Sequence, residues 1–253
     1  MQPTIEVKDL TVRFGAHTVL ENVSFDVRRG EIFVILGESG CGKTTLLRHM
    51  IGLRAPEAGR VFIDGEDLTG ADEAQYDRIS KKFGVLFQSG ALLGSMTLGE
   101  NVALPLRETK RLPESVVEDL VRLKLSIVGL DGKQELLPAE LSGGMKKRGG
   151  LARAMALDPQ ILFFDEPSAG LDPVTQVELD ELILGINAGL GTTMIVVTHE
   201  LQSIYKIAQR VIMLDRETHG IIAQGNPLEL KETCDHPKVR AFFRRELLKK
   251  TNR

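Results

Sequence analysis

The sequence predicts an α/β fold: a parallel sheet built around a phosphate-binding loop, with an antiparallel β-subdomain near the N-terminus and a helical subdomain inserted in the middle. Three observations predict it. Gly37-Glu38-Ser39-Gly40-Cys41-Gly42-Lys43-Thr44-Thr45 reads G-x-x-x-x-G-K-T, the pattern of a loop that wraps phosphate. That loop lies between a short apolar run, Ile32-Phe33-Val34-Ile35-Leu36, and a helically spaced set, Leu46, Leu47, Met50 and Ile51, as a buried strand and a following helix require. Further apolar runs end in Gln88, in Asp165-Glu166 and in His199, and open α/β sheets bind ligands at the carboxyl ends of their strands.

The chemistry of the loop follows from its residue types. Its glycines let the backbone curl around phosphate oxygens where side chains would clash. Backbone N–H groups and the helix N-terminus present partial positive charge to the anion. Lys43 reaches for the β- and γ-phosphates, and the Thr44 hydroxyl is placed to ligate Mg²⁺. Cys41 lies inside the loop. It reads either as a reactive thiol or, more economically, as a small passive residue.

Length and composition bound the rest. With 253 residues the chain forms one large domain or a core with a subdomain. A net charge of -3 gives no global reason to expect a nucleic-acid partner. The start Met1-Gln2-Pro3-Thr4 has no basic-then-apolar leader, and no apolar run approaches a membrane span. Two cysteines, Cys41 and Cys234, offer no disulfide framework.

Taken in order, Ile5, Val7, Leu10, Val12 and Phe14 alternate with polar residues, as do Val19, Leu20, Val23, Phe25 and Val27 after a turn at Gly15-Ala16-His17. These are two half-buried strands. Phe14 reads either as a core aromatic or as a platform for a purine. Residues 59–65 predict another strand, closed by the Asp64-Gly65 turn. The segment 89–106 carries few charges but is broken by Gly and Pro, which argues against one regular helix there. Pro113-Glu114 opens a helix through Val117, Leu120, Val121 and Ile127, ended by Gly129 or Gly132.

Two constellations follow. Ser142-Gly143-Gly144 precedes a helix through Leu151, Ala154 and Met155; Ser142 suits an N-cap, and the helix start is a second anion-ready terminus. Ile161-Leu162-Phe163-Phe164 then runs into Asp165-Glu166. Successive strand residues point oppositely, so one carboxylate can face Mg²⁺ and the other an attacking water. Met194-Ile195-Val196-Val197 ends in the same way at Thr198-His199.

This ordered set resembles the ATP-binding cassette (ABC) ATPases, and the likeness spans essentially the whole chain. The resemblance implies the ABC variant of the P-loop NTPase fold, with a RecA-like core. It assigns Walker A to 37–45, the Q-loop to Gln88, the signature to Leu141-Ser142-Gly143-Gly144-Met145 and Walker B to 161–165. Glu166 becomes the catalytic carboxylate, Asp165, Thr44 and Gln88 the metal ligands, His199 the switch histidine and 168–172 the D-loop. Phe14 takes the place of the adenine-stacking aromatic. Domains are expected at 1–89 with 157–232 (nucleotide-binding core and β-subdomain), 90–156 (helical) and 233–253 (C-terminal extension). In this family two cassettes pair head to tail, so Ser142, Gly143 and Gly144 act on the opposite subunit's ATP.

Within the family the chain looks most like the Mla-type ATPases of phospholipid transport. The residues that carry this are Phe87-Gln88-Ser89-Gly90-Ala91-Leu92, Ser95-Met96-Thr97, Glu100-Asn101-Val102-Ala103-Leu104-Pro105-Leu106, Met145, and Pro237-Lys238-Val239-Arg240-Ala241-Phe242-Phe243. The resemblance implies ATP and Mg²⁺, a second copy of the chain, a transmembrane permease and a periplasmic lipid-binding MCE subunit as partners. It places the protein at the cytoplasmic face of the inner membrane. The apolar 89–106 stretch and the tail 237–253 are the expected contacts with other subunits. Transport of another cargo, such as amino acids, would use the same cassette. A translation or repair protein of the family would need a second cassette or a long insertion, and a metabolite kinase would lack the signature and His199. One departure stands out: Gly149-Gly150 lies inside the signature helix, where relatives carry a larger apolar residue at Gly149. Each helix-interior glycine costs up to about 1 kcal/mol against alanine.

Overall fold

The computed structural model describes residues 3–109 and 111–245. In chain order the elements are β1 (Ile5–Phe14), β2 (His17–Val27), β3 (Ile32–Gly37), α1 (Lys43–Met50), β4 (Ala58–Ile63), β5 (Glu66–Asp67), α2 (Glu73–Ser80) and β6 (Phe83–Leu86). Then come α3 (Leu98–Thr109), α4 (Glu114–Ile127), α5 (Gly143–Ala154), β7 (Ile161–Asp165), α6 (Pro173–Leu190) and β8 (Thr193–Val197). The chain continues with α7 (Leu201–Ile207), β9 (Arg210–Leu214), β10 (Ile221–Gly225), α8 (Pro227–Thr233) and α9 (Pro237–Arg244). Two compact units emerge, Met1–Tyr76 with Ile195–Arg253, and Asp77–Met194.

In the first unit β1 pairs antiparallel with β2 and β4, giving the sheet order β2-β1-β4-β5. The alternating residues Ile5, Val7, Leu10 and Val12 are all buried. The Asp64-Gly65 turn has both φ angles positive, 47° and 79°, the backbone that a tight hairpin demands. β3 lies beside β9 in parallel, Val34 opposite Val211, and β10 adds an antiparallel edge. Phe25 stacks on Phe33 at 5.4 Å. Arg210 joins this seam by bonding Glu31 Oε1 at 2.8 Å and Asp26 Oδ2 at 3.1 Å. Burial alone would depress its pKa, but these bonds raise it well above the ordinary arginine value.

α9 buries Val239 and Phe243 in the same unit. The Tyr205 hydroxyl donates to Phe243 O at 2.8 Å, and Lys238 Nζ meets Asp215 Oδ1 at 2.6 Å. The expected subunit-gripping tail therefore spends these apolar groups within its own chain; its residues 246–253 lie outside the described ones.

In the second unit β6 and β7 run parallel, Gly84 opposite Leu162 and Leu86 opposite Phe164. Every residue of β7 is buried, as a strand covered on both faces should be. Helices α3, α4 and α5 pack on one another. As expected, 89–106 is not one regular helix: residues 89–97 are irregular and a helix occupies the rest. α3 begins at Leu98 and contains Pro105. A capping box starts it: Glu100 N donates to Thr97 Oγ1 at 3.2 Å, and Thr97 N to Glu100 Oε2 at 2.7 Å. Fully buried Asn101 then ties down the preceding loop, bonding the carbonyls of Leu93, Met96 and Thr97. Local capping and tertiary anchoring outweigh the proline.

Candidate functional site

The first unit holds the phosphate loop. Gly37 at the end of β3 has φ 148°, and a Cβ there would lie 2.4 Å from Leu214 O. Gly42, the N-cap of α1, has φ 103°, and no side chain caps the helix. A Cβ on Gly42 would meet Leu20 Cδ2 and Val19 Cγ1, each at 3.0 Å. So β2 presses on the loop from one side, and glycine is the residue that lets it. The first turn of α1 carries no acid that would repel an anion. Lys43 is buried and donates to the loop's own carbonyls, Gly37 O at 2.8 Å and Glu38 O at 3.0 Å. Its ammonium is thereby held over the loop that it belongs to.

Glu38, Ser39 and Gly40 are exposed, while Thr44 and Thr45 are half-buried. Cys41 is buried, and that burial pushes its thiol pKa up against the pull of the nearby Lys43 charge. A thiol so held is a poor nucleophile, which favours the passive role. Phe14 is 46% exposed at the end of β1, with the Arg54 guanidinium 5.4 Å from its ring centre. His199 follows β8 and is exposed, its Nε2 3.5 Å from Glu200 Oε1.

The second unit gathers Gln88, Ser142, Gly143, Gly144, Asp165 and Glu166. Gln88 is exposed just beyond β6. Ser142 is the N-cap of α5, accepting from Met145 N at 3.2 Å, and both Ser142 and Gly143 are exposed. Gly144 abuts α6: a Cβ there would come 2.6 Å from Thr175 Cγ2. Asp172 caps α6 by accepting from Val174 N and Thr175 N at 3.1 Å. The Thr175 hydroxyl bond and these amides draw the Asp172 carboxyl below its usual pKa.

Asp165 ends β7 and is buried. Glu166 follows with φ 48°, a left-handed conformation that costs a non-glycine residue on the order of 1–3 kcal/mol. Ala169 N donates to its carbonyl at 3.2 Å. Among the described residues no group of three or more His, Cys, Asp or Glu makes a self-contained metal site. Within this unit the Gln88 amide and the Asp165 carboxylate are hard oxygen donors of the kind that suits Mg²⁺.

Sequence reasoning missed Lys147. This lysine of α5 is 5% exposed and donates to Gln88 O and, at 3.3 Å, to Glu166 O. Burial draws its pKa below the ordinary lysine value, opposed by the charges of Asp165 and Glu166. The structure also accounts for the paired glycines. A Cβ on Gly150 would strike Gly90 O at 2.6 Å, and one on Gly149 would meet the Leu98 Cδ1 tip at 2.6 Å. Gly150 is what brings the helix backbone against the loop after Gln88.

The pattern of the ABC transporter family matches residues 20–169. The chain belongs to that family. The cassette is 45% identical to the "Probable ribonucleotide transport ATP-binding protein mkl" of Mycobacterium leprae, over 96% of this chain and 69% of that one. It is 41% identical to the "Intermembrane phospholipid transport system ATP-binding protein MlaF" of Escherichia coli K12, over 94% of this chain and 88% of the relative. A dimeric ATP-binding cassette solved in a post-hydrolysis state with ADP and Pi superposes with TM-score 0.80 at 29% identity, covering 88% of this chain and 98% of that one. CbiO1 of Clostridium perfringens, part of the ABC transporter complex cbiONQ, reaches 0.83 at 26% identity over 92% of both chains. The cassette is thus an ATPase with the ABC ATPase fold. Among the described residues no helix is long and apolar enough to cross a membrane.

Proposed function

We propose that this cassette works as a Mg²⁺-dependent ATPase in a head-to-tail pair of copies, energising phospholipid transport through a membrane permease. The likeness to MlaF across 94% of the chain carries the cargo assignment. A periplasmic lipid-binding MCE subunit completes the assembly, and the cassette sits at the cytoplasmic face of the inner membrane through its permease.

The residues divide the work. Phe14 stacks the adenine. The amides of 37–45 and the Lys43 ammonium bind the β- and γ-phosphates, with Thr44, Gln88 and Asp165 holding the metal. Bound Mg²⁺ supplies charge neutralisation on the phosphate oxygens. Glu166 takes the proton of water as its oxygen attacks the γ-phosphorus, and the bond to the β,γ-bridging oxygen breaks to leave ADP. His199 steadies the γ-phosphate. The tip formed by Ser142, Gly143 and Gly144 lends its amides to the partner copy's nucleotide. Most of the rate then comes from positioning and electrostatics.

Glu166→Gln tests the core of this reading. The variant is expected to keep ATP affinity and lose nearly all phosphate release; wild-type turnover would refute the general base. A second reading follows the name of the mkl relative, with a ribonucleotide as cargo. Purifying the cassette with its permease from solubilised membranes and analysing the bound lipid separates the two. Phospholipid retained and stimulating the ATPase supports the first reading; stimulation by ribonucleotide alone supports the second.

A further inference from the structure

Burying a lysine is costly unless its ammonium finds partners. Lys147 finds two main-chain carbonyls, those of Gln88 and Glu166, 59 and 19 residues away in sequence. We propose that Lys147 is a positioning residue for ATP hydrolysis: it ties the backbone at Gln88 to the backbone at Glu166 and so sets the carboxylate against the loop that carries the Gln88 amide. This role rests on the reading of Glu166 as the general base.

Three observations carry it. First, Glu166 occupies a left-handed conformation, φ 48°, which persists only where its surroundings impose it. The Lys147 ammonium is one of the groups gripping the carbonyl of that residue. Second, α5 is already fastened to β6 and to the segment after it without Lys147. Gly150 lies against Gly90 O, and a Cβ on Gly84 would lie 2.0 Å from Ala154 O. Arg153 donates to Ala91 O at 2.7 Å. Lys147 is not needed to hold the helix to that segment, and its bond to Glu166 O reaches past it. Third, both bonds go to main-chain carbonyls, so Lys147 fixes the two backbones without hydrogen-bonding the Gln88 amide or the Glu166 carboxylate.

The test uses the full chain purified with its membrane partner, comparing Lys147→Gln, Lys147→Arg and Glu166→Gln. Lys147→Gln removes the charge and one of the three donors and shortens the reach, but keeps a polar side chain. It is expected to lower kcat by on the order of 10- to 100-fold, the penalty of a small misplacement. KM and the affinity for a fluorescent ATP analogue stay within about twofold, the signature of an interaction realised at the transition state. Lys147→Arg restores most of the rate by returning the charge and the reach to the two carbonyls. An unchanged kcat in Lys147→Gln overturns the role. So does a joint loss of kcat, nucleotide affinity and Tm that Arg fails to rescue, because that pattern marks mere structural glue. Wild-type hydrolysis in Glu166→Gln would instead remove the general base, and with it the reason for positioning it.

Discussion

The cassette carries two glycine-rich helix starts, and they are finished differently. At α1 the N-cap is Gly42 in a left-handed conformation, with no side chain over the first amides. At α5 the N-cap is Ser142, whose hydroxyl already accepts from Met145 N. The first start is enclosed: Gly42 and Lys43 are buried, and β2 backs the loop. The second presents Ser142 and Gly143 to solvent and is held through its flank, where Gly150 meets Gly90. The lesson is that one motif is closed in by its own unit, whereas the other leaves its tip open to solvent.

That contrast can be broken at several points. The largest effect is expected at Lys43. Lys43→Ala should cut phosphate release by roughly 10²- to 10³-fold, the cost of removing a preorganised charge from a transition state, as read in a phosphate-release assay. If the first start tolerated this loss, it would not be a phosphate cradle. Gly150→Ala comes next. Helix propensity alone predicts a gain of up to about 1 kcal/mol, but the added Cβ faces a backbone oxygen at 2.6 Å. Urea unfolding should therefore show a net loss on the order of 1–3 kcal/mol, as overpacking does. Gly149→Ala serves as its control. Its Cβ meets the end of the Leu98 side chain rather than backbone, so its stability should change little or rise.

Apart from that control, the smallest effect on stability belongs to Ser142→Ala. Losing the cap should cost about 1 kcal/mol in thermal unfolding. Binding of ATP to a single copy should stay intact while phosphate release falls, since the first start does not use Ser142. Equal loss of binding and hydrolysis would erase the distinction between the two tips.

Much of this organisation could be read in the sequence, because its signals are local. The P-loop, the alternating β1 and β2, the apolar β7 and the Ser142 cap each depend on residues within one turn or one strand. α3 was harder, since Pro105 and the neighbouring glycines point away from a helix; what decides it is Asn101 bonding a folded loop. The 18 residues of α6 bury only Leu179, Asp180, Ile183 and Ile186, so no strong apolar stripe announces it. Lys147 could not have been found at all. A lysine in a helix reads as solvated until Gln88 and Glu166 arrive from elsewhere in the chain.

The glycine contact also has a mechanical side. α5 is 12 residues long, and Gly150 lies about two turns from Gly143, roughly 10 Å along the axis at 1.5 Å per residue. With the rod pinned there against Gly90, that contact is a fulcrum. A tilt of about 10° around it would swing the serine-glycine end by close to 2 Å on that 10 Å arm, enough to make or break a hydrogen bond to a phosphate. A push on the segment following Gln88 would therefore reach the far end of the helix as a displacement rather than fade into soft side chains.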